Sequence, residues 1–463
     1  MDWGVVSTSA PVVSRRRLTI GMCTAVVAIA FEAIAVATAL PAAARELDGL
    51  HLYAWAFSIL QVGTLLATVA TGRLADRIGP ARPMIGGLVV FAVGLVVAAT
   101  SSTMMQLILG RFIQGLGSGT MGVAIAVCIA RVFEPRLRPR MFSYISTAWV
   151  LPAFFGPPVS AWLTEGLGWS WVFWAVLPLV AFAAVMVVPS LLSLMRLPDP
   201  SSDGPSPSRP PATLWAAALA AAAVVSLQVA GQRLDWVSIP LVLAGAVLLL
   251  VSLPNLMPVR FFRFGAGLPA VIVVRGLIAG AFFGAEAFIP LMLVEQRGLS
   301  LVLSGAVLTV GSVGWTTGSW LQARPRLRLR RDRIITIGAA LVTLGLALAA
   351  VTASRPDVWV GLIGLSCVLA GLGMGLAFSS TSVAAMSLSP VSEQGRNSSS
   401  LALGEALGGS LLVALSGTIF ALLHPSGRLA LTFGSVMVSM CLLAGVGALL
   451  SLRIGRLRNE LHP

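Results

Sequence analysis

The 463-residue sequence contains no lysine, so all 31 of its basic residues are arginine, and charge of either sign makes up only 10% of the chain. Histidine and cysteine are scarce too, at three and four residues. Cys23, Cys128, Cys367 and Cys441 each sit alone in an apolar run, and His51, His424 and His462 are scattered, so neither a disulfide framework nor a metal site is expected. There is no G-x-x-x-x-G-K-[ST] loop and no soluble stretch to carry one, so no nucleotide and no other cofactor enters the chemistry. No cluster of His, Cys or Ser stands at catalytic spacing, so an enzyme is not expected and no residue is assigned as catalytic. The net charge of +14 would suit nucleic acid if the arginines gathered on one solvated surface. They do not, and nucleic acid is excluded as a partner.

What the chain has in abundance is apolar sequence, 57% of all residues, with 47 glycines. That composition belongs to an integral membrane protein. A bilayer core needs about 20 apolar residues per helix. Such segments fall near 18–40, 55–72, 83–100, 105–130, 142–163 and 171–195, then near 214–231, 236–254, 268–294, 302–322, 334–352, 358–386, 398–422 and 429–452. The basic start at 14–17 followed by an apolar run imitates a secretory signal, but that run exceeds an ordinary signal core and more spans follow, so it reads as an uncleaved first helix. RLPDPSSDGPSPSRPPAT, residues 196–213, cannot bury anything and reads as a solvated linker.

The arginines orient the helices. With a cytoplasmic N-terminus, 24 of them fall in inside segments, and only Arg45, Arg233, Arg297, Arg355 and Arg428 fall outside, while Arg111 and Arg275 lie within helices. Both termini are then cytoplasmic, at the cell membrane. QGLGSGTMG at 114–122 echoes AGLGMGLAF at 370–378, an offset shared by Arg140 with Arg396 and nearly shared by Glu32 with Glu286. The expected fold is all-α, with 14 transmembrane helices arranged 6+2+6 as two six-helix pseudo-repeats around a central cavity. Its parts are an N-terminal six-helix bundle (1–195), a cytoplasmic linker (196–213), two inserted helices (214–264) and a C-terminal six-helix bundle (265–463).

Within TGRLADRIGPARP, residues 71–83, Gly72, Leu74, Asp76, Arg77, Gly79 and Arg82 form a charged turn between two apolar runs. In this turn Gly72 and Gly79 are expected to permit tight geometry, and Asp76 to face the positive end of a helix. The pattern resembles the cytoplasmic turn of the major facilitator superfamily. LILGRFIQGLGSG, residues 107–119, resembles the fourth-helix motif of that superfamily, with Arg111 in its buried basic place. FGPPVSA, residues 155–161, is similar to the antiporter motif through Gly156 and Pro157, with Ser160 and Ala161 in place of two glycines. FEAIAVATALP, residues 31–41, resembles the first helix of the fourteen-helix drug:proton antiporters, with Glu32 where that family usually has Asp. The resemblance implies that the charged turn latches two halves of a transporter together on the cytoplasmic side.

Glu32, Arg111, Arg275, Glu286 and Glu405 lie inside helices, where a charge costs several kcal/mol unless paired or hydrated. Glu32 and Arg111 sit at matching depth and are expected to pair; Glu286 and Glu405 are expected to join them around one cavity, carrying protons and offering charge to a cationic substrate. Arg275 is expected to snorkel to the cytoplasm. Trp149, Phe155, Trp315 and Phe378 could line a pocket for flat apolar cations. The reading is a secondary active transporter for proton-coupled efflux of amphipathic, cationic compounds. Its partners are a small-molecule substrate, protons and the lipid bilayer, and a monomer is expected. The alternatives are a dedicated exporter of one metabolite and a non-transporting scaffold or sensor, which would gain nothing from three buried acids.

Overall fold

The computed structural model describes residues 15–134, 137, 141, 144–145, 147–195, 214–233, 235–258, 261, 265–324, 329–355, 357–389 and 394–457. The linker at 196–213 lies outside the described residues. Among the described residues fourteen long helices follow one another: α1 (Arg15–Glu46), α2 (Tyr53–Ile78), α3 (Ala81–Ala99), α4 (Met104–Val132), α5 (Val150–Leu167), α6 (Leu177–Met195), α7 (Leu214–Arg233), α8 (Ser238–Leu256), α9 (Leu268–Glu286), α10 (Leu301–Gln322), α11 (Arg331–Ser354), α12 (Gly361–Ser387), α13 (Gln394–Leu423) and α14 (Leu429–Ser451). A one-turn helix, Trp171–Trp174, precedes α6, and α9 breaks after Glu286 and resumes as Ile289–Glu295. Among the described residues, thirteen spans are long and apolar enough to cross a membrane. The exception among the long helices is α5, whose Pro152, Pro157, Pro158 and Glu165 dilute its apolar character.

Helix ends follow local chemistry. Thr103 caps α4 by accepting the Gln106 amide at 3.2 Å, and Ser300 caps α10 by accepting that of Leu303 at 3.3 Å. Gly79 ends α2 with φ +76°, a backbone conformation that side-chain-bearing residues avoid. Gly72 plays no such part: α2 continues six residues beyond it, and a Cβ at this position would meet no other element within 4 Å. The expectation that two glycines shape the turn therefore holds only for Gly79, because the helix runs past the first.

Packing depends on glycines that let backbones meet. On α4, Gly115 and Gly119 lie against α2 and Gly117 against Phe91 of α3. On α12, Gly371 and Gly375 lie against α10 and Gly373 against Gly338 of α11. The two echoing sequences thus make the same contacts: α4 sits between α2 and α3 as α12 sits between α10 and α11. α1 packs on α5 and α6, and α9 packs on α13 and α14. Two seams join these groups, α2 with α13 and α5 with α10, and α7 lies across the first, touching both α2 and α13. α8 packs mainly on α7, and its outward stripe of Ile239, Leu243, Val247 and Leu250 is exposed, as a surface that meets lipid would be.

Candidate functional site

Two arginines stand deep inside helices, and each is fixed by a glutamate from another helix. Arg111 of α4 pairs with Glu32 of α1. Its Nε donates to the Ala56 carbonyl of α2 at 2.8 Å, and its Nη1 donates to Gln114 Oε1 at 3.1 Å. Glu32 is 1% exposed and Arg111 2%. One guanidinium therefore ties three helices with charge-assisted bonds in a place closed to water. The expected pairing at matched depth is what the structure shows; Gln114, one turn along the same face of α4, is a partner that sequence reasoning missed.

Arg275 does not snorkel. It is buried, because Glu405 of α13 reaches it: Nη2 and Nε donate to the same carboxylate oxygen, Glu405 Oε2, at 2.8 and 3.1 Å. Nη1 donates to Thr381 Oγ1 at 2.8 Å, to Ser382 Oγ at 3.3 Å and to the Phe378 carbonyl. The guanidinium carbon stands 3.1 Å from the centre of the Phe378 ring, and Trp315 meets the other rings of this cluster, Phe378 at 5.4 Å and Phe282 at 5.5 Å. The Glu405 side chain keeps 27% of its surface exposed, and its Oε1 has no hydrogen-bond partner among the described residues.

Glu286 does not share a cavity with Glu405. It is the last residue of α9 before the break, 11 residues beyond Arg275 or about 16 Å along the axis. It is part-buried and lines a small, partly open space with Phe282, Leu308, Leu346, Ser366 and Cys367, contributed by α9 to α12. Among the described residues Glu286 has neither an ion-pair partner nor a hydrogen bond.

Of the four aromatic candidates, Trp315 and Phe378 come together and the other two do not join them. Phe155 is 60% exposed, on one face of α5 with Leu151, Val159 and Trp162, and Trp149 is 44% exposed. Gly156 meets Ile34 of α1, the Pro157 carbonyl faces Gly305 of α10, and Ser160 donates to the Ala35 carbonyl at 2.6 Å. In the charged turn, Arg82 is exposed in the first turn of α3, and Arg131 Nη2 donates to the Ala75 carbonyl at 3.4 Å. The side chains of Arg73, Asp76 and Arg77 lie outside the described residues.

At the end of the molecule that carries Arg45, contacts join the two groups of helices. Arg45 Nε donates to Glu295 Oε1 at 2.9 Å, and Tyr53 donates to the Ala287 carbonyl at 2.8 Å, within the break that follows Glu286; inside the α9–α14 group, His424 lies 4.0 Å from Glu295 Oε2. Ser58 of α2 donates to Gln228 Oε1 of α7 at 2.5 Å. Tyrosine occurs twice in the whole sequence, and that scarcity was the one signal pointing at Tyr53.

The profile of the Major Facilitator Superfamily matches residues 20–413. The chain belongs to the Major Facilitator Superfamily. It is 28% identical to an uncharacterized MFS-type transporter of Mycobacterium tuberculosis (strain CDC 1551 / Oshkosh) over 87% of this chain, and it spans only 59% of that relative's length. It is 25% identical to the multidrug efflux pump SdrM of Staphylococcus aureus (strain N315), over 85% of this chain and 87% of that one. Its fold is similar to the crystal structure of the peptide transporter POT in complex with sulfate, with a TM-score of 0.67 at 16% identity over 94% of this chain and 95% of that one. It is also 24% identical to multidrug resistance protein 3 of Bacillus subtilis (strain 168), over 89% of this chain and 81% of that one.

Proposed function

We propose that this superfamily member exports amphipathic, cationic compounds across the cell membrane in exchange for protons. Transport proceeds by alternating access between an N-terminal bundle of α1–α6 and a C-terminal bundle of α9–α14, with α7 and α8 inserted between them. The observation that carries the reading is the buried pair of Glu32 and Arg111 inside a transporter-family helix bundle. A carboxylate held by one arginine and shielded from water exchanges that partner for a proton or for a substrate cation, and either exchange changes the charge that must cross the bilayer. Glu405, paired on one oxygen only, is the second point where substrate charge is met. The names of the efflux relatives support the substrate class.

In this reading the Arg45 end faces outside and is closed, both termini are cytoplasmic, and the 71–83 turn latches the bundles on the inside in the opposite state. A reporter fused near Ser206 then reads cytoplasmic; an outside reading would remove the helix count. The deciding experiment places the purified monomer in vesicles with an imposed pH gradient and offers a panel of cationic dyes and antibiotics. Dye movement coupled to proton movement is expected. Dye movement without protons would remove the exchange, and movement of neither would remove transport.

A further inference from the structure

The two inserted helices form a tight hairpin: Ser226 of α7 donates to the Leu241 carbonyl of α8 at 2.8 Å, and Gly245 of α8 leaves room for Leu227 of α7. The hairpin holds α13 near both of its ends. Ser400, in the first turns of α13, donates at 3.0 Å to the carbonyl of Leu256, the last residue of α8, and both residues are buried. About 27 Å further along α13, Thr418 lies against Gly231 of α7, where a Cβ would fall 1.9 Å from the Thr418 hydroxyl oxygen. To the N-terminal bundle the hairpin is joined, among the described residues, by packing on α2 and by one hydrogen bond, from Ser58 to Gln228. The bundles themselves touch at the same place: Gly417, next to Thr418, faces Ala54, one turn before Ser58 on α2.

We propose that the α7–α8 hairpin is a strap carried by the C-terminal bundle, and that the Ser58–Gln228 bond is a latch released each time the Arg45 end opens. This rests on the alternating-access reading above and gives the inserted helices their part in it. A hairpin stitched to itself and bonded to α13 near both ends follows α13 when α2 and α13 separate, so the bond to α2 is the one that yields. Its two partners are unequal. Ser58 Oγ also reaches the Ala54 carbonyl of its own helix, at 3.2 Å, and keeps that bond when the latch opens. Gln228 has nothing to fall back on: among the described residues its Oε1 accepts from Ser58 alone, and its Nε2 has no partner. Both side chains are buried, and an unpaired amide closed to water is costly, so the latch favours the closed end until opening admits water to Gln228.

The depth of the latch fits this part. Ser58 lies five residues after α2 begins at Tyr53, and Gln228 five residues before α7 ends at Arg233, so both stand about 8 Å inside the same end. Arg45 with Glu295 and Tyr53 with Ala287 tie that end by direct contact between the bundles. The latch ties it through an inserted helix. A change in the hairpin therefore shifts the balance of closed and open states without altering a residue of either bundle.

The test uses the full chain with its four native cysteines replaced by alanine, in vesicles, with ethidium as the probe. Ser58→Cys with Gln228→Cys, bridged by a short bifunctional thiol reagent, is expected to cut ethidium movement at least tenfold, and reductant restores it. Gly231→Cys with Thr418→Cys is expected to form a disulfide after a small shift, since a Cβ on Gly231 would stand 2.9 Å from the Thr418 Cβ. That disulfide leaves movement within twofold of the reduced protein, because it ties the strap to the bundle that carries it. In detergent, Ala54→Cys reports opening, because Ala54 is buried against Gly417. Adding Gln228→Leu is expected to speed its thiol labelling about fivefold, the equivalent of one hydrogen bond, and adding Ser58→Ala does the same. Movement stopped by the α7–α13 disulfide, movement unaffected by the α2–α7 bridge, or unchanged labelling would each overturn the proposal. A chain that moves no ethidium even when unbridged would instead remove the export reading, and the labelling ratio still decides the latch.

Discussion

Glu32 with Arg111 and Arg275 with Glu405 use the same two residue types to opposite ends. The first pair is closed on every side, with both side chains 2% exposed and the arginine bonded onward to α2 and to its own helix. The second is closed around the arginine alone: Arg275 makes five hydrogen bonds to four acceptors, while Glu405 gives it one oxygen and keeps the other open. A sealed pair responds to its partner's removal with the full cost of an orphaned buried charge, whereas a half-open pair lets water replace what is lost. The difference separates a carboxylate that leaves its partner only at high cost, as a coupled exchange requires, from one already open to something else.

The strongest way to break this comparison is Arg111→Ala, which leaves Glu32 buried without a cation. A loss of about 3 to 5 kcal/mol is expected, read as a lower melting temperature in detergent, with most of it recovered when Glu32→Gln is added. Melting like wild type would mean that the pair does not hold α1 to α4. Next, Glu32→Gln alone fixes the uncharged form. It is expected to fold and bind neutral compounds, to bind cations more weakly, and to lose substrate-induced proton release by about tenfold, the equivalent of about 1.4 kcal/mol. Release equal to wild type would leave Glu286 and Glu405 as the carriers.

Arg275→Ala sharpens the other side. Because Glu405 already reaches open space, the expected loss in stability is about 1 to 3 kcal/mol, clearly below that of Arg111→Ala. An equal or larger loss, measured by the same melting assay, would show that the two pairs are alike. The smallest effect is expected at the charged turn. Gly79→Ala should cost about 1 to 2 kcal/mol because its φ is +76°, while Gly72→Ala should stay within about 0.5 kcal/mol because its Cβ would meet no other element. Equal effects at the two positions would contradict the helix boundary at Ile78.

Much of this site was legible because membrane burial makes charge rare. Five ionisable residues stood out inside apolar runs, and counting residues from a helix end placed Glu32 and Arg111 at one level. The same counting misled for Arg275. Its distance from the end of α9 suggested an exit to water, but depth along one helix says nothing about the neighbour, and α13 brings Glu405 against it. The ring of three acids misled for a related reason: Glu286 lies 11 residues along α9 from the Arg275 that holds Glu405, and α13 contributes nothing to the space it lines. Gln114, Tyr53 and Gln228 carry no charge and so gave no comparable signal.

The sequence by itself determined the helices, their approximate limits and the family, because a bilayer demands long apolar runs with internally satisfied backbones, and glycine spacing marks where helices touch. It also determined that any buried charge needs a partner. Which partner each charge takes was decided only by the tertiary structure. Pairing is a matter of a few ångströms between side chains on helices far apart in the chain, and that distance is set by how glycine faces interlock and where α9 breaks.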